Sequence, residues 1–333
     1  MTVGRVVVVA TAPHTPPGLL SWPAWEVLRS GPVLVGRADH PQVPYLSDAS
    51  VQVDVLDAPD VAAELHARAA AGAHVVWLAD GADDEDVVRR LGRLALRDRN
   101  VELEVIYGSH DPPGARLLDV VAVMDRLRSP GGCPWDAKQT HDSLKPYLLE
   151  EAYEALQAIE DGDLVDLREE LGDVLLQVAF HARLAQEHET DPWSIDDVAG
   201  GLVDKLVRRH PHVFAGADAD DLDGTWERLK AEEKGRTSVT EGVPLGQPAL
   251  SLAAKLQRRG SRVGAPVPSY DDLGGELWSL VARCQEAGLD PEAELRAVAR
   301  RYRDRLAEVE RAVAAEGRDP RDLSPQEWTD RWS

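Results

Sequence analysis

The feature that most constrains this chain is a pair of acidic helices joined by a short turn. The stretch LLEEAYEALQAIEDGDLVDLREELGDVLL carries one run of three clustered acids on each side of the turn, EExxE before it and EExxD after it, and a single base, Arg168. The six acids are Glu150, Glu151, Glu154, Glu169, Glu170 and Asp173. Ser143 is expected to cap the first helix, Gly162 to end it and Asp163 to cap the second. A turn this short forces the two helices to fold back antiparallel.

Antiparallel pairing brings the acids of the two helices face to face. Glu154 and Glu170 are equidistant from Gly162, and so are Glu151 and Asp173, so these residues oppose each other. Two carboxylates about 6 Å apart repel by roughly 3 kcal/mol at an effective dielectric constant near 20. Several such pairs would rival the total stability of a domain, roughly 5–15 kcal/mol. The cluster therefore has to be hydrated, protonated or neutralised by a cation.

Two interpretations of the acidic cluster stay open at this point. An EExxE run is most often the solvated face of an amphipathic helix. The second helix, however, continues as VLLQVAF and is apolar nearly all round, which predicts that its acidic face is buried as well. Buried carboxylates need cations. Oxygen ligands without Cys or paired His favour Mg²⁺ or Mn²⁺ over zinc.

The hydrophobic pattern divides the chain into three parts. Residues 1–115 alternate short β-branched runs with helical stretches, which predicts a small α/β domain with a largely parallel sheet. From about residue 117 no segment is typical of a strand, so the chain is mainly α. The segment EGVPLGQPALS separates a central helical domain, residues 116–240, from a terminal helical module, residues 249–333. The last long helix is predicted to run from Pro291 to Gly317.

Charge and composition exclude several function classes. A net charge of -22 argues against general binding to nucleic-acid polymers or anionic membranes. Cys133 and Cys284 are too few and too far apart for a zinc motif or a disulfide framework, which suggests a reducing cytoplasm. The opening MTVGRVVVVATAPH imitates a signal peptide, but its apolar core is too short, so we interpret it as a first strand. We expect a cytoplasmic protein that binds no membrane.

Six residues around the hairpin are candidates for contacting a polyanionic substrate. They are Trp135, Lys205, Arg208, Arg209, Trp226 and Lys230. The Lys and two Arg of DKLVRRHPHVFAG recur at i, i+3 and i+4, which suits either a phosphate clamp or an ordinary charged turn. Trp135 in GGCPWDAKQ either stacks on a base or anchors its loop, and both can hold. The Trp and Lys of TWERLKAEEK share a helical face that is equally consistent with packing.

Three segments together carry a family resemblance. CPWDAKQTHDSLKPYLLEEAYEAL, LREELGDVLLQVAFHA and KLVRRHPHVF resemble the MazG family of nucleoside triphosphate pyrophosphohydrolases in order and spacing, over residues 117–235. The resemblance implies an all-α fold, Mg²⁺-dependent cleavage of (d)NTPs to monophosphate and pyrophosphate, and hairpins that dimerise into four-helix bundles. By position it implies that the metal ligands are Glu151, Glu154, Glu170 and Asp173, with Glu150 in or near the same shell.

The flanking parts of the chain depart from this pattern. Residues 249–333 resemble the second helical module of two-module members, but GGELWSLVARCQE keeps only Glu276 and no EExxE helix, so this unit is expected to hold no metal. Residues 1–115 distantly resemble the start of the tetrapyrrole methylases fused to this family. ATAPHTPPG stands where that group has a glycine-rich turn, so we assign no methyl transfer. This layout is similar to that of mycobacterial, actinobacterial-type members.

The expected function is Mg²⁺-dependent hydrolysis of NTPs and dNTPs to monophosphate and pyrophosphate, with a role in cleaning the nucleotide pool. A free carboxylate, Glu150 or Glu169, is expected to accept the proton of the attacking water. Two alternatives stay open: an enzyme dedicated to dUTP or phosphoribosyl-ATP, and a non-enzymatic, metal-stabilised helical interaction module. We also expect a homodimer with Phe180 at or near its interface, because one hairpin cannot bury an all-round apolar helix.

Overall fold

The computed structural model describes residues 3–98, 100–216 and 238–332. The chain divides into two compact units, Met1–Val203 and Asp204–Ser333. The three-part division predicted above, with bounds at 1–115, 116–240 and 249–333, stays a prediction. In the part of the chain that the structure describes, no helix is long and apolar enough to cross a membrane.

A five-stranded parallel sheet forms the N-terminal part of the first unit. The strands are β1 (Gly4–Ala10), β2 (Val33–Val35), β3 (Val53–Val55), β4 (His74–Ala79) and β5 (Val101–Tyr107). Their order across the sheet is β3-β2-β4-β1-β5. In the central pairs, Val6 lies in register with Val75 on one side and with Leu103 on the other. The predicted small parallel sheet is therefore confirmed.

Helices cover both faces of the sheet. They are α1 (Trp22–Leu28), α2 (Val43–Asp48), α3 (Val61–Ala70) and α4 (Glu85–Ala95). Successive residues of β1 point to opposite faces: Val8 packs with Leu65 of α3, whereas Val9 packs with Leu28 of α1. The pattern predicts α3 and α4 but misses α1 and α2. These have only 7 and 6 residues and carry Pro in their first turns, so they show no helical period.

The helical part of the first unit contains the acidic hairpin. Its helices are α5 (Arg116–Arg128), α6 (His141–Asp161) and α7 (Leu164–Ala185). The next helix, α8 (Ile195–Arg209), begins in the first unit and ends in the second, which also contains α9 (Pro211–Phe214). Gly162 takes the left-handed conformation at φ 71° and ends α6, as predicted. The Asp163 carboxylate accepts hydrogen bonds from two backbone amides of α7, which confirms the second cap.

The predicted cap at Ser143 is wrong, because Thr140 caps α6. The Thr140 hydroxyl accepts from the Ser143 amide at 3.2 Å, and the Ser143 hydroxyl accepts from the Thr140 amide at 2.9 Å. This reciprocal pair is a capping box. Thr140 is extended and lies outside the helix, whereas Ser143 already lies within its first turn, so only Thr140 has the backbone conformation of a cap.

The prediction that Phe180 lies at or near a dimer interface stays a prediction, although its side chain is already covered within the single chain. Phe180 is 3% exposed and packs with Met124 of α5 and Leu144 of α6. The third helix, α5, covers the side of α7 that a two-helix hairpin would leave open. The large apolar side chains of α7 that stay exposed are Leu164 and Val165 in its first turn and Leu171, Leu176 and Val178 further along.

The second unit is helical wherever the structure describes it. After α8 and α9 come α10 (Ala249–Ser261), α11 (Leu273–Glu286), α12 (Pro291–Ala315) and α13 (Pro325–Trp332). The predicted start of α12 at Pro291 is confirmed, and Gly317 follows its end at φ 74°. Val309 and Val313 of α12 pack with Leu323, Trp328 and Trp332. After β5, no strand occurs in the described residues, so the mainly helical fold class is confirmed.

Candidate active site

The hairpin brings three carboxylates from two helices to one place. Ligand atoms of Glu151 and Glu154 on α6 and of Glu170 on α7 all lie within 4.8 Å of one another. Glu151 and Glu170 are half-buried, and Glu154 is exposed. A cluster of this kind arises because α6 and α7 pack along their length in the antiparallel register set by Gly162.

The charges of the cluster act on each other across the hairpin. Burial and the charge of Asp173 together raise the pKa of Glu151, with Glu154 and Glu150 adding to the effect. Burial and the charge of Glu154 raise the pKa of Glu170. The strongest charge effects across the hairpin are that of Asp173 on Glu151 and that of Glu154 on Glu170. These are the two pairs predicted to face each other because their members lie equally far along the chain from Gly162.

The donor set fits a hard divalent cation. The residues offer carboxylate oxygens alone, the ligands that Mg²⁺ and Mn²⁺ prefer. Within the described parts of the chain, no Lys or Arg lies in ion-pair distance of Glu151, Glu154, Glu170 or Asp173. The repulsion among these four carboxylates is therefore not compensated by a described basic side chain. A bound divalent cation would neutralise the charge that raises these pKa values.

Glu150 and Glu169 border the cluster. Both side chains are exposed. The charge of Glu150 acts on Glu151, and that of Glu169 acts on Glu170. Both therefore lie beside the cluster, and their role as the base that accepts a proton from water stays a prediction.

Trp135 lies in the loop between α5 and α6. Its side chain is 51% exposed and meets the Tyr147 ring edge-on, with the ring centroids 6.1 Å apart. About half of the side chain is therefore accessible, while Tyr147 packs against the indole in a T-shaped arrangement. This arrangement allows both roles considered for Trp135, a packing contact and a platform for a base.

Sequence reasoning missed the residue that holds this loop, Arg128. Its side chain is 4% exposed. The guanidinium donates to both carboxylate oxygens of Glu187, at 3.0 and 2.7 Å, and to the backbone carbonyl of Asp136 in the loop. It also lies over the Phe180 ring, 5.6 Å from the centroid. Arg128 thus ties the Trp135 loop to α7, and no local spacing signals a contact between positions 59 residues apart.

The predicted cationic residues lie on the last turns of α8, in the second compact unit. Lys205 is half-buried, Arg208 is exposed and Arg209 is 8% exposed. Their helical spacing is confirmed because α8 runs to Arg209. Their role as a phosphate clamp stays a prediction. Trp226 and Lys230 lie outside the described residues.

Comparison with known proteins points to one family. Residues 139–214, which include α6 and α7, match the MazG nucleotide pyrophosphohydrolase domain. A nucleoside triphosphate pyrophosphohydrolase of Mycolicibacterium smegmatis is 47% identical over 240 residues, 71% of this chain and 69% of that protein. The nucleoside triphosphate pyrophosphohydrolase/pyrophosphatase MazG of Thermotoga maritima is 37% identical over 246 residues, 66% of this chain and 95% of that protein.

A third relative carries no functional name. The uncharacterized 26.1 kDa protein in the blaB 3' region of Streptomyces cacaoi is 55% identical over 216 residues, 63% of this chain and 88% of that protein. The two named relatives are aligned over more than two thirds of their own length, well beyond the domain match. The chain therefore belongs to the MazG family of nucleotide pyrophosphohydrolases.

Proposed function

We propose that this chain hydrolyses NTPs and dNTPs between the α- and β-phosphates, giving the nucleoside monophosphate and pyrophosphate, with Mg²⁺ as cofactor. The observation that carries the proposal is the meeting of Glu151, Glu154 and Glu170 within 4.8 Å on two antiparallel helices. The names of the relatives support the reaction class. Mn²⁺ offers the same oxygen preference and is a second candidate metal.

The metal ligands in this proposal are Glu151, Glu154, Glu170 and Asp173. A bound Mg²⁺ would supply positive charge against the phosphate oxygens and acidify an attacking water. The carboxylates would hold that charge between the two helices, because the turn at Gly162 and the cap at Asp163 set the register of α6 against α7. A triphosphate with about four negative charges could approach such an acidic surface only with this compensation.

The remaining residues bind and orient the substrate. Glu150 or Glu169 accepts the proton of the attacking water, since both are exposed beside the cluster. Trp135 stacks on the base through the exposed part of its indole. Lys205 and Arg208 stabilise the charge of the departing pyrophosphate, with Arg209, Trp226 and Lys230 as further substrate contacts. The general base is the least constrained of these assignments, because two equivalent exposed acids flank the cluster.

The proposal extends to assembly and cellular role. Two copies would complete a four-helix bundle, because α7 leaves Leu171, Leu176 and Val178 exposed in one chain. The role we propose is removal of unwanted nucleotides from the cytoplasmic pool. The partners are nucleoside triphosphates and a second copy of the chain, without a nucleic-acid polymer or a membrane.

A nucleotide panel tests the proposal. The full chain is incubated with Mg²⁺ and each standard NTP and dNTP, and with dUTP and phosphoribosyl-ATP, and the products are separated chromatographically. We expect several triphosphates to give monophosphate and pyrophosphate. Turnover of dUTP or phosphoribosyl-ATP alone would instead establish a dedicated enzyme, and no turnover of any nucleotide would favour the interaction module.

A further inference from the structure

A second cavity lies in the α/β part of the first unit, apart from the acidic hairpin. It encloses about 580 Å³ at the carboxyl ends of β1, β4 and β5. Its walls are the loop that follows β1, the first two turns of α4 and the loop that follows β5. No residue of α6 or α7 lines it, so it is distinct from the proposed catalytic site. Its size falls within the range of small-molecule sites.

The topology places this cavity where parallel α/β sheets bind ligands. β1 and β4 are neighbours in the sheet. The chain leaves β1 toward α1 on one face and leaves β4 toward α4 on the opposite face. The two connections diverge and open a crevice between them, which is the position at which such sheets bind ligands.

Hydrogen bonds between its loops hold the cavity in shape. The Ala12 amide donates to the Ser109 hydroxyl at 2.8 Å, and the Thr11 hydroxyl donates to the Ala79 carbonyl at 3.0 Å. The His14 amide donates to the Asp111 carboxylate at 3.0 Å. These bonds join the segments after β1, β4 and β5 across long sequence separations. The cavity is therefore formed before any ligand enters, which lowers the ordering cost of binding.

The cavity lining combines an aromatic ring, a cationic side chain and a carboxylate with the apolar side chains of Val88 and Val105. Tyr107 is 60% exposed, and its ring stacks on His110 with the centroids 5.2 Å apart and the planes 29° apart. Arg89 is exposed, and its nearest described carboxylates, those of Asp86 and Glu85, lie at 3.9 and 4.0 Å. The guanidinium therefore has donors available to a ligand, and Glu85 offers a carboxylate in the same cavity.

We propose that this cavity binds a nucleoside monophosphate. A planar base would stack on Tyr107, a contact that tolerates different bases. The Glu85 carboxylate would accept hydrogen bonds from the ribose hydroxyls. Arg89 would donate to the phosphate. The inference stands independently of the reaction at the hairpin, although that reaction would release a ligand of this class.

Equilibrium dialysis of the full chain in excess EDTA tests the proposal, because EDTA removes divalent metal from the hairpin. The probes are labelled AMP, GMP, CMP and UMP at up to about 1 mM, with adenosine as a phosphate-free comparison. The variants are Arg89→Glu and Tyr107→Ala. The matched control is Arg93→Glu, an exposed position one turn further along α4 that does not line the cavity. Circular dichroism confirms that each variant is folded.

We expect at least one monophosphate to bind with one site per chain. Arg89→Glu and Tyr107→Ala should each weaken it by at least about tenfold, the scale of one lost base stack or charged contact, while Arg93→Glu and Glu151→Gln leave it unchanged. Absence of binding by all four monophosphates overturns the proposal, and so does unchanged binding in Arg89→Glu. Loss of binding in Glu151→Gln would assign the ligand to the hairpin, and adenosine binding as tightly as AMP would contradict the phosphate contact.

Discussion

The half-buried carboxylate of Glu151 is unfavourable in its charged form. Its pKa is raised by burial and by Asp173, and no described Lys or Arg compensates its charge. Folding therefore brings together charges that the unfolded chain keeps apart. If Glu151 is a metal ligand, its charge destabilises the metal-free protein, so its replacement should be tolerated. An acid with a structural role would instead stabilise the fold, and its replacement would lower stability.

Replacing Glu151 with Gln should raise the melting temperature of the protein in EDTA. Each 1 kcal/mol of relieved repulsion corresponds to about 2–4 °C for a unit of this size. Mg²⁺ should raise the melting temperature of the wild type, because it binds only the folded hairpin, and should have little effect on the variant. Glu189→Gln, at an exposed acid beyond α7, is the control and should behave as the wild type does. A Glu151→Gln protein that is less stable in EDTA would contradict this account.

His14 is a second residue whose charge matters. Its ring nitrogens lie 2.6 Å from Asp111 and 2.8 Å from Asp119, and its side chain is 7% exposed. Hydrogen bonds to Asp111 and then to Asp119 raise the pKa of His14, while Arg116 lies beside Asp119 at 3.1 Å. Because Asp119 belongs to α5, the imidazolium joins the loop after β1 to the first helix of the helical part.

The free energy of unfolding should therefore depend on pH through His14. The pKa of His14 is higher in the folded than in the unfolded protein. Its contribution to the free energy of unfolding is therefore fully present below the unfolded pKa, near 6.5, and is lost as the pH rises through the folded pKa. Melting temperatures of the wild type and of His14→Gln, measured from pH 6 to 9, should differ most at the acidic end and converge at the alkaline end. A difference that stays constant with pH would show that His14 contributes only packing.

At the scale of elements, the loop between α5 and α6 depends on one buried arginine. Arg128 donates to Glu187 beyond α7 and to the Asp136 carbonyl, while Arg183 of α7 also donates to Glu187, at 2.9 Å. These bonds, with Arg128 stacked over Phe180, fix the loop that carries Trp135 against the end of the hairpin. If Trp135 positions the base, Arg128 is a positioning residue for substrate binding.

Replacing Arg128 with Ala should raise the KM for nucleoside triphosphates by roughly tenfold or more, which corresponds to about 1.4 kcal/mol, with a smaller effect on kcat. The expected cause is loss of loop order, since the metal ligands on α6 and α7 stay in place. Arg128→Lys should recover part of the loss, because it keeps one charged donor but not the bidentate pair. Arg126→Ala is the control, since the bond that Arg126 makes among the described residues is a 3.3 Å one to the Pro130 carbonyl. The positioning role would be ruled out if Arg128→Ala lowered kcat as much as it raised KM, or if Arg126→Ala changed both constants to the same extent.

Elements defined by local pattern were predictable, and long-range contacts were not. The strands were recognisable because their β-branched runs are bounded by turn residues, and the facing acids followed from Gly162 alone. The cap was misplaced at Ser143 because a Thr three residues earlier satisfies the same pattern. The burial of Phe180 within one chain was not predictable, because it depends on α5, a helix whose position the sequence does not reveal. Arg128 was missed for the same reason, since its partner Glu187 is 59 residues away.

At the scale of the whole molecule, one apolar stripe of α7 is only partly covered by the described residues. Leu171, Val174, Leu175 and Val178 recur at i, i+3, i+4 and i+7, and Leu171 and Val178 are 53% and 38% exposed. On α6, Leu149 and Tyr153 are exposed at 60% and 48%. Exposed apolar stripes on two neighbouring helices are what an isologous four-helix bundle would bury.

Val178→Glu should convert the proposed dimer to a monomer, because a buried, unpaired charge is costly at an apolar interface. Light scattering at micromolar concentration should give the mass of two chains for the wild type and of one chain for the variant. Leu96→Glu is the control, at a position 87% exposed on the α/β part, and should leave the mass unchanged. A wild-type protein with the mass of one chain would refute the bundle. Phe180→Glu is unsuitable here, because Phe180 lies in the core and its replacement would unfold the helical part.

The central claim is that the carboxylates of α6 and α7 direct cleavage between the α- and β-phosphates. Phosphorus NMR of one nucleoside triphosphate, incubated with the wild type and with Glu154→Gln at saturating Mg²⁺, tests it most directly. We predict monophosphate and pyrophosphate resonances in equal amounts with the wild type, and unchanged triphosphate with the folded variant. Diphosphate and orthophosphate as the products, or undiminished turnover by Glu154→Gln, would contradict it.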